Sequence, residues 1–278
     1  VAGALNDRIV TLNKQYDCEH GQFKFAGRVL HDHHAYGLLP VQSIITKSSN
    51  IGAAKIGIDM GADRLYEHMC DFGFGMPTGI QLPGESRGIL HPVEKWSKVS
   101  IAQIPMGHGI AATRLQMAMA MGAIANDGWL MRPMLVNRVE DSAGTVITQY
   151  QPQRVRQVVN ETTAAQMVTA LKTVATAEGT APKAAMTNYV VAGKTGTAQK
   201  PGPGGYLPGK FISSFIGFFP ADNPEVCISI VLDEPKNGYY GGDVAAPIFH
   251  QVAEAVAAYL HLPPDLPVNN AEIADARR

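Results

Sequence analysis

The segment Gly193-Lys194-Thr195-Gly196-Thr197 stands at the end of an apolar run and constrains the local fold more than any other stretch of the sequence. The residues before it, Tyr189 to Ala192, are mostly β-branched or aromatic, which favours a strand. Proline and glycine recur throughout residues 200–209, so the chain cannot continue there as a helix. The pattern predicts a strand that carries Lys194 and then runs into a Gly/Pro loop.

Gly-Lys-Thr also ends the phosphate-binding loop G-x-x-x-x-G-K-[ST], whose Gly-Lys-Thr must open a helix. The first glycine of that pattern would fall at position 188, which is Asn188. Both requirements therefore fail, and nucleotide binding is disfavoured. Acyl transfer is the second chemistry in which Lys-Thr-Gly occurs on a strand, and it stays open.

Composition sets outer limits on the function. The net charge of −1 gives no electrostatic reason to expect a nucleic acid partner. No apolar stretch approaches the roughly 18–20 residues that span a bilayer. Cys18, Cys70 and Cys227 lie too far apart for a zinc motif or a disulfide framework. Cys227 follows Val226 in an apolar run, so we expect it to pack as a small hydrophobic residue.

A histidine-rich segment, residues 31–37, allows two interpretations. Its clustered imidazoles could hold a metal, or they could be hydrogen-bonded loop residues. No set of carboxylates or cysteines at fixed helical spacing accompanies them, which favours the loop. The sequence therefore indicates no need for a metal, and nothing in it calls for an organic cofactor.

The first ~130 residues are predicted to be helices and loops. Apolar periodicity favours helices at Val41 to Ile45, Asp63 to Cys70 and Thr113 to Asn126, with Thr113 as an N-cap. The methionines of the third helix are expected to fill the core: Met117, Met119 and Met121.

The second half combines strands with two helices. Residues 135–140 and 145–150 predict a surface hairpin, and Glu161 to Thr176 predicts a helix. Residues 211–219 and 226–232 predict an antiparallel pair. A last helix is expected to start at Pro247. We expect it to bury four large side chains: Ile248, Val252, Val256 and Tyr259. This order of elements indicates an α+β fold.

The segment Lys47-Ser48-Ser49-Asn50 is the second group of interest. Residues two apart point in different directions on a helix, so Ser48 and Asn50 face one site only if the segment is a turn between helices. Taken alone, Ser-Ser-Asn also fits an ordinary loop. Combined with Lys-Thr-Gly on a strand about 140 residues later, it matches two of the three motifs of penicillin-binding proteins and class A β-lactamases.

The resemblance extends along residues 1 to 260, and it is specific to class B penicillin-binding proteins of the division type. The further segments that carry it are Leu82-Pro83-Gly84-Glu85, His91-Pro92-Val93-Glu94-Lys95-Trp96-Ser97, Met106-Gly107-His108-Gly109-Ile110, Leu115-Gln116-Met117-Ala118, Ala125-Asn126-Asp127-Gly128, Gly217-Phe218-Phe219-Pro220-Ala221-Asp222-Asn223-Pro224 and Tyr239-Tyr240-Gly241-Gly242-Asp243-Val244-Ala245-Ala246-Pro247.

The resemblance implies a peptidoglycan D,D-transpeptidase that cross-links stem peptides ending in D-Ala-D-Ala during septal wall synthesis and binds β-lactams covalently. Ser48 would relay a proton to the leaving amine, and Asn50 would hold the substrate amide. Lys194 would direct positive potential at the substrate carboxylate, and the hydroxyls of Thr195 and Thr197 would bind that carboxylate. Gly196 would let the peptide lie close to the strand, and the Thr197 N–H would be an oxyanion donor.

The implied fold is an antiparallel sheet flanked by helices, as in serine β-lactamases, with a mostly helical subdomain and an incomplete N-terminus. A transpeptidase domain is expected over residues 1–262, divided into a mostly helical part (1–160) and a part with the sheet and last helix (161–262). Residues 263–278 are Pro-rich and then polar, which indicates a loose tail.

The nucleophile motif S-x-x-K is absent from the 278 residues. Residues 1–5 resemble the helix that follows the nucleophile in relatives, so we expect the serine and its lysine just upstream of Val1. The chain alone could not form an acyl-enzyme. Two alternatives stay open: a β-lactamase or D,D-carboxypeptidase of the same fold, and a non-catalytic penicillin-sensing or scaffold module. The family further implies divisome membrane partners and placement on the periplasmic side of the inner membrane.

Overall fold

The computed structural model describes residues 1–266 of the 278-residue chain. Within them the chain divides into two compact units, of which the first ends at Met167 and the second begins at Val168. Helices occur together with antiparallel strand pairs in these residues, which confirms the predicted α+β class. No helix in residues 1–266 is long and apolar enough to cross a membrane.

The first unit combines helices with five antiparallel strand pairs, β1 with β4, β2 with β3, β5 with β6, β7 with β10, and β8 with β9. Its helices are α1 (Ala2–Asn6), α2 (Val41–Lys47), α3 (Asn50–Met60), α4 (Ala62–Asp71), α5 (Ser100–Gln103) and α6 (Arg114–Ala125). Its strands are β1 (Gln15–Asp17), β2 (Gln22–Phe25), β3 (Arg28–His31), β4 (Leu38–Pro40), β5 (Ile89–Leu90), β6 (Ile110–Ala111), β7 (Trp129–Met131), β8 (Arg138–Glu140), β9 (Val146–Gln149) and β10 (Arg154–Gln157).

The strand pairs before residue 130 show that the expectation of helices and loops alone was wrong there. β2 and β3 are joined by Ala26 and Gly27, whose φ angles of 46° and 78° form a tight hairpin turn. Ala-Gly lacks the Asn-Gly signature of such turns. Strands of three or four residues also carry too little alternation to be recognised in the sequence.

Helix α6 confirms the predicted N-cap. The Thr113 hydroxyl accepts a hydrogen bond from the Gln116 N–H, and the Gln116 side chain accepts one from the Thr113 N–H, which is a capping box. The same Gln116 amide is fully buried, and its Nε2 donates to the carbonyls of Met76 at 2.8 Å and Arg87 at 3.0 Å. One side chain therefore ties the helix start to two irregular segments.

Met117 corrects the prediction that the methionines of α6 fill the core, because its side chain is 40% exposed. Met119 and Met121 are half-buried. Apolar residues occupy every side of α6, so the sequence could not identify which of them face the core. By contrast, the helix predicted at Asp63 to Cys70 is confirmed as α4, and the surface hairpin is confirmed as β8 and β9, whose side chains are exposed.

The second unit is built on a three-stranded antiparallel sheet in the order β11-β12-β13. The boundary between the two units falls within helix α7 (Glu161–Lys172). A 3-10 turn extends this helix to Ala175, in agreement with the helix predicted for residues 161–176. The other elements are β11 (Ala192–Gly202), β12 (Gly205–Phe219), β13 (Val226–Asp233), α8 (Gly241–Val244) and α9 (Ala246–Tyr259). The predicted antiparallel pair is confirmed as β12 and β13.

Strand β11 begins later than predicted, at Ala192 rather than Tyr189. The Tyr189 hydroxyl donates to the Leu262 carbonyl at 2.7 Å, and the Val190 N–H donates to Asp265 Oδ1 at 3.0 Å. These residues therefore form hydrogen bonds with the segment after α9 instead of pairing with a strand.

The same contacts bear on the tail predicted at 263–278. Its first residues are held, because the N–H groups of Asp265 and Leu266 both lie 3.2 Å from the Asn188 carbonyl. Residues 267–278 lie outside the described part of the chain.

The Gly/Pro segment after Lys194 is a hairpin extension and not the predicted loop. β11 continues to Gly202, and β12 starts at Gly205 after a two-residue turn. Pro201 pairs with Tyr206 beyond an irregularity in the register at Gln199. Proline has no N–H to donate, and an outer strand such as β11 tolerates it. Sequence rules that treat proline and glycine as breakers therefore ended the strand too early.

Helix α9 starts one residue before the predicted Pro247, but it buries a different face. Four residues face the core: Ala246, Phe249, Ala253 and Ala257. Val252 is 37% and Tyr259 82% exposed, so the predicted buried set was wrong. Small alanines let the helix lie close to the sheet, where the Phe249 ring meets Phe215 at 4.8 Å between centroids. Ranking residues by size alone favoured the wrong face.

Candidate active site

Ser48, Ser49 and Asn50 form a turn between two helices, which is the geometry that a shared role of Ser48 and Asn50 requires. α2 ends at Lys47, and Ser48 follows in the left-handed conformation with φ 55° and ψ 45°. Ser49 is the N-cap of α3, and its Oγ accepts a hydrogen bond from the Gly52 N–H at 3.0 Å. Asn50 is the first residue of α3.

Asp32 accepts hydrogen bonds from this turn, and the sequence analysis did not identify Asp32 as a site residue. Ser49 Oγ donates to Asp32 Oδ2 at 2.7 Å, and the Ile51 N–H donates to Asp32 Oδ1 at 3.0 Å. Asn50 Nδ2 donates to the His31 carbonyl at 2.9 Å. The histidine-rich segment is thus the support of the Ser48–Asn50 turn, through its aspartate and a backbone carbonyl. The available signal was a polar segment just before a helix, and the sequence favoured hydrogen-bonded loop residues there without indicating what they would bind.

No group of three or more metal-ligating side chains comes together among residues 1–266. The interpretation of residues 31–37 as hydrogen-bonded loop residues accords with the contacts of Asp32 and His31.

Two cysteines are poor nucleophiles in this structure. Burial raises the pKa of the Cys227 thiol to about 12 and also raises the pKa of Cys18. Both are protonated at neutral pH, and a thiol is a far weaker nucleophile than a thiolate. Cys18 Sγ lies 3.3 Å from Ser49 Oγ beneath the turn. Both therefore act as packing residues, as expected for Cys227.

Lys194 to Thr197 lie in β11 in continuous register with β12, where Lys194 pairs with Ile216 and Thr197 with Ser213. Side chains alternate along a strand, so Thr195 and Thr197 share one face. Burial lowers the pKa of Lys194 to about 8, because a charged ammonium loses hydration in this position. Lys194 Nζ donates to the Thr195 carbonyl at 3.2 Å. The strand thus presents a partly desolvated cation whose Nζ lies 3.4 Å from Thr195 Oγ1.

A second segment contacts this strand and was missed as a site element. The Gly241 N–H donates to Thr197 Oγ1 at 3.0 Å, and Ser213 Oγ donates to the Tyr239 carbonyl. The rings of Phe211 and Tyr239 stack at 4.3 Å between centroids, and Tyr240 packs on Tyr239 at 4.4 Å. The signal in the sequence was the aromatic pair followed by two glycines, which was used only for the resemblance.

Gly241 and Gly242 permit this close approach. A Cβ at Gly241 would lie 2.2 Å from the Ser214 carbonyl oxygen and 2.5 Å from that of Gly196. A Cβ at Gly242 would lie 1.9 Å from the Thr180 carbonyl oxygen. No L side chain fits such distances, so glycine is required at both positions by space rather than by φ.

The structure therefore groups the predicted site residues into two sets. Ser48 and Asn50 share one turn in the first unit, and Lys194 to Thr197 share one strand in the second. Serine acyl transfer needs groups that move a proton and groups that bind an anion, and hydroxyl and ammonium side chains are chemically able to do so.

Comparison with known proteins defines the class. The penicillin-binding protein transpeptidase domain matches residues 1–254, and the chain belongs to that family. Penicillin-binding protein PbpB of Mycolicibacterium smegmatis is 35% identical over 84% of this chain and 38% of its own length. The probable peptidoglycan D,D-transpeptidase PenA of Neisseria flavescens is 32% identical over 89% of this chain and 60% of its own length.

Solved structures agree with the sequence matches. Penicillin-binding protein 3 of Mycobacterium tuberculosis, in complex with ampicillin, superposes with a TM-score of 0.85 at 30% identity. That match covers 96% of this chain and 62% of the other. The chain spans 36% to 39% of the length of the first three curated relatives. The resemblance to class B penicillin-binding proteins and the predicted fold are thus confirmed.

Proposed function

We propose that the full-length protein is a peptidoglycan D,D-transpeptidase that cross-links stem peptides in septal wall synthesis through a serine acyl-enzyme. One observation carries the proposal: a Ser48–Asn50 turn and a Lys194–Thr197 strand occur together in a chain whose residues 1–254 match the transpeptidase domain. A relative at 32% identity is named a probable peptidoglycan D,D-transpeptidase, which supports the same activity.

The nucleophile of this proposal is a serine upstream of Val1. Its Oγ forms a bond to the carbonyl carbon of the penultimate D-alanine, and the peptide bond to the terminal D-alanine breaks. The terminal D-alanine leaves as an amine after it gains the proton that the serine lost. An amine of a neighbouring peptidoglycan strand then forms a bond to the ester carbonyl carbon, the bond to the serine Oγ breaks, and the amine's proton passes to that Oγ, which restores the free serine.

In this proposal Ser48 transfers the proton and Asn50 binds the substrate amide. Ser48 passes the proton to the leaving nitrogen, and its left-handed backbone places the hydroxyl at a position that a helical residue would not reach. Asn50 offers an amide that both donates and accepts, as a peptide substrate requires. Its Nδ2 already donates to the His31 carbonyl, which fixes the side chain.

Lys194, Thr195 and Thr197 form the carboxylate-binding set of the proposal. The ammonium of Lys194 supplies charge, and the two hydroxyls supply hydrogen bonds to the terminal carboxylate. Gly196 leaves room for the peptide along the strand, and the Thr197 N–H is an oxyanion donor. Loss of such a donor typically costs about 10²–10³ in rate.

The proposal also covers the ligands, the partners and the cellular location of the protein. Because a related structure holds ampicillin, we propose that β-lactams acylate the same serine in this protein. We also propose an anchor in the inner membrane, a catalytic domain on the periplasmic side, and divisome membrane proteins as partners.

The test is turnover of a synthetic stem peptide ending in D-Ala-D-Ala by the full-length protein, with and without an acceptor amine. We expect release of D-alanine and, with the acceptor, an amide-linked product. Release without the linked product identifies a D,D-carboxypeptidase, and rapid hydrolysis of penicillin identifies a β-lactamase. A folded protein that releases nothing and forms no penicillin adduct is a non-catalytic module, and any of these three results contradicts the proposal.

A further inference from the structure

Thr195 has a hydroxyl partner outside the Lys-Thr-Gly-Thr segment. Thr180 Oγ1 lies 2.8 Å from Thr195 Oγ1, so one of the two hydroxyls donates to the other. Lys194 Nζ approaches the same Thr195 oxygen at 3.4 Å, which is a long hydrogen bond. Both partners of Thr195 are therefore on the same unit of the chain, from Val168 onward.

A hydroxyl has one proton to donate and two lone pairs that accept. Lys194 Nζ is a donor when protonated, and it takes one lone pair of Thr195. If Thr180 donates as well, the second lone pair is taken and the only remaining capacity of Thr195 is its own proton. A group that binds there must then accept a hydrogen bond, as a carboxylate does and an ammonium or amide N–H does not.

The position of Thr180 is itself fixed by the backbone. Its carbonyl oxygen lies against Gly242, where a Cβ would approach to 1.9 Å. The following short turn is tied to α8 by an ion pair between Lys183 Nζ and Asp243 Oδ1 at 2.8 Å. The Ala181 N–H also donates to the Val174 carbonyl at 2.9 Å, so main-chain groups hold the backbone next to Thr180 in addition to this exposed ion pair.

The hydroxyl oxygen of Thr197 also accepts a hydrogen bond from a neighbouring group. Its Oγ1 accepts the Gly241 N–H at 3.0 Å, so its proton also remains available for an acceptor. Residues 241 and 242 thus support both threonines, Thr197 directly and Thr195 through Thr180. The Thr197 proton, and the Thr195 proton when Thr180 is the donor, then stay available for an acceptor.

We propose that Thr180 is a positioning residue that directs the Thr195 proton and so makes the carboxylate-binding set selective for an anionic acceptor. The inference rests on the proposed function, because it assigns the same threonines to the same carboxylate. It adds a residue that lies 15 positions before Thr195 and that neither motif contains.

The test compares acylation of the full-length protein by benzylpenicillin and by its methyl ester, which lacks the anionic group. In Thr180→Val we expect the second-order acylation constant for the acid to fall by about tenfold, equal to one lost hydrogen bond of about 1.4 kcal/mol. The ester carbonyl also accepts a hydrogen bond, but a neutral one of about half the strength, so its constant is expected to fall by only about threefold. Thr180→Ser retains the hydroxyl and is expected to restore the selectivity for the acid.

Thr176→Val is the matched control, because Thr176 is exposed and its hydroxyl donates to the nearby Thr173 carbonyl at 2.8 Å. Thermal unfolding of each variant separates folding from positioning, and Thr180→Ala serves where valine unfolds the protein. Equal losses for acid and ester, or no loss for either, overturn the inference while the proposed function stands. No acylation of the unsubstituted protein contradicts the proposed function and overturns the inference with it.

Discussion

Ser49 Oγ lies 2.7 Å from Asp32 Oδ2, and the other oxygen of the same carboxylate accepts the Ile51 N–H at 3.0 Å. One half-buried carboxylate therefore holds both the N-cap and the first turn of α3. Asp32→Ala removes both acceptors and leaves two donors unsatisfied, at a cost of about 2 kcal/mol in the free energy of unfolding. We expect acylation by penicillin to slow by at least about tenfold, because the adjacent Ser48 is displaced.

Asp141→Ala is the control for that variant. Asp141 Oδ1 also accepts two backbone N–H groups, from Ala143 and Thr145, but it lies in the exposed β8–β9 turn. Its loss should leave the acylation rate unchanged. Equal effects of Asp32→Ala and Asp141→Ala on acylation would show that the Asp32 contacts do not position the turn.

Ser48 has a strained left-handed backbone conformation, and the cost of this strain can be measured by comparing two substitutions. The left-handed conformation costs a residue with a Cβ roughly 1 kcal/mol of free energy, and it does not cost glycine this amount. Ser48→Gly and Ser48→Ala both lose the hydroxyl, so we expect equal losses of acylation. The glycine variant should unfold with a free energy about 1 kcal/mol above that of the alanine variant. Denaturant unfolding measures this difference, and equal stabilities would mean that the left-handed conformation is not maintained.

The sequence was sufficient for elements whose local signals agree with the tertiary structure. Thr113 before an apolar periodic run predicted the cap of α6, and Ser48 with Asn50 predicted a turn if both residues act together. It was insufficient where space decides the outcome. The alanine face of α9 and the close approach of Gly242 to Thr180 depend on neighbours far away in the chain, while the strand continues past Pro201 because Pro201 pairs with Tyr206 across a two-residue turn. Asp32 was missed for the same reason, since its partners lie 17 and 19 residues away.

Gln116 is expected to be a strong determinant of stability, although it lies in a helix with few polar residues. Gln116→Met keeps the volume but removes the buried amide that donates to the carbonyls of Met76 and Arg87. We expect a loss of about 3 kcal/mol in the free energy of unfolding. Met117→Gln, one position along at an exposed site, should change it by less than about 0.5 kcal/mol. Similar values for the two variants in denaturant unfolding would contradict the network.

The lowered pKa of Lys194, about 8, predicts how the acylation constant depends on pH. The ammonium is present below that pH and is lost as the pH rises through it. The acylation constant for benzylpenicillin should therefore decline above pH 8, while that for its uncharged methyl ester should lack this decline. An identical alkaline limb for both compounds would show that Lys194 does not recognise the carboxylate by charge.

Covalent labelling by a fluorescent penicillin is the most direct test of the acyl-transfer site. The full-length protein is incubated with the probe, and intact mass and peptide mapping locate the adduct. We predict one long-lived adduct per chain, on a serine upstream of Val1, with a rate that falls when Thr197 or Lys194 is replaced. A folded full-length protein that forms no adduct, or forms one that these replacements leave unaffected, would contradict the account.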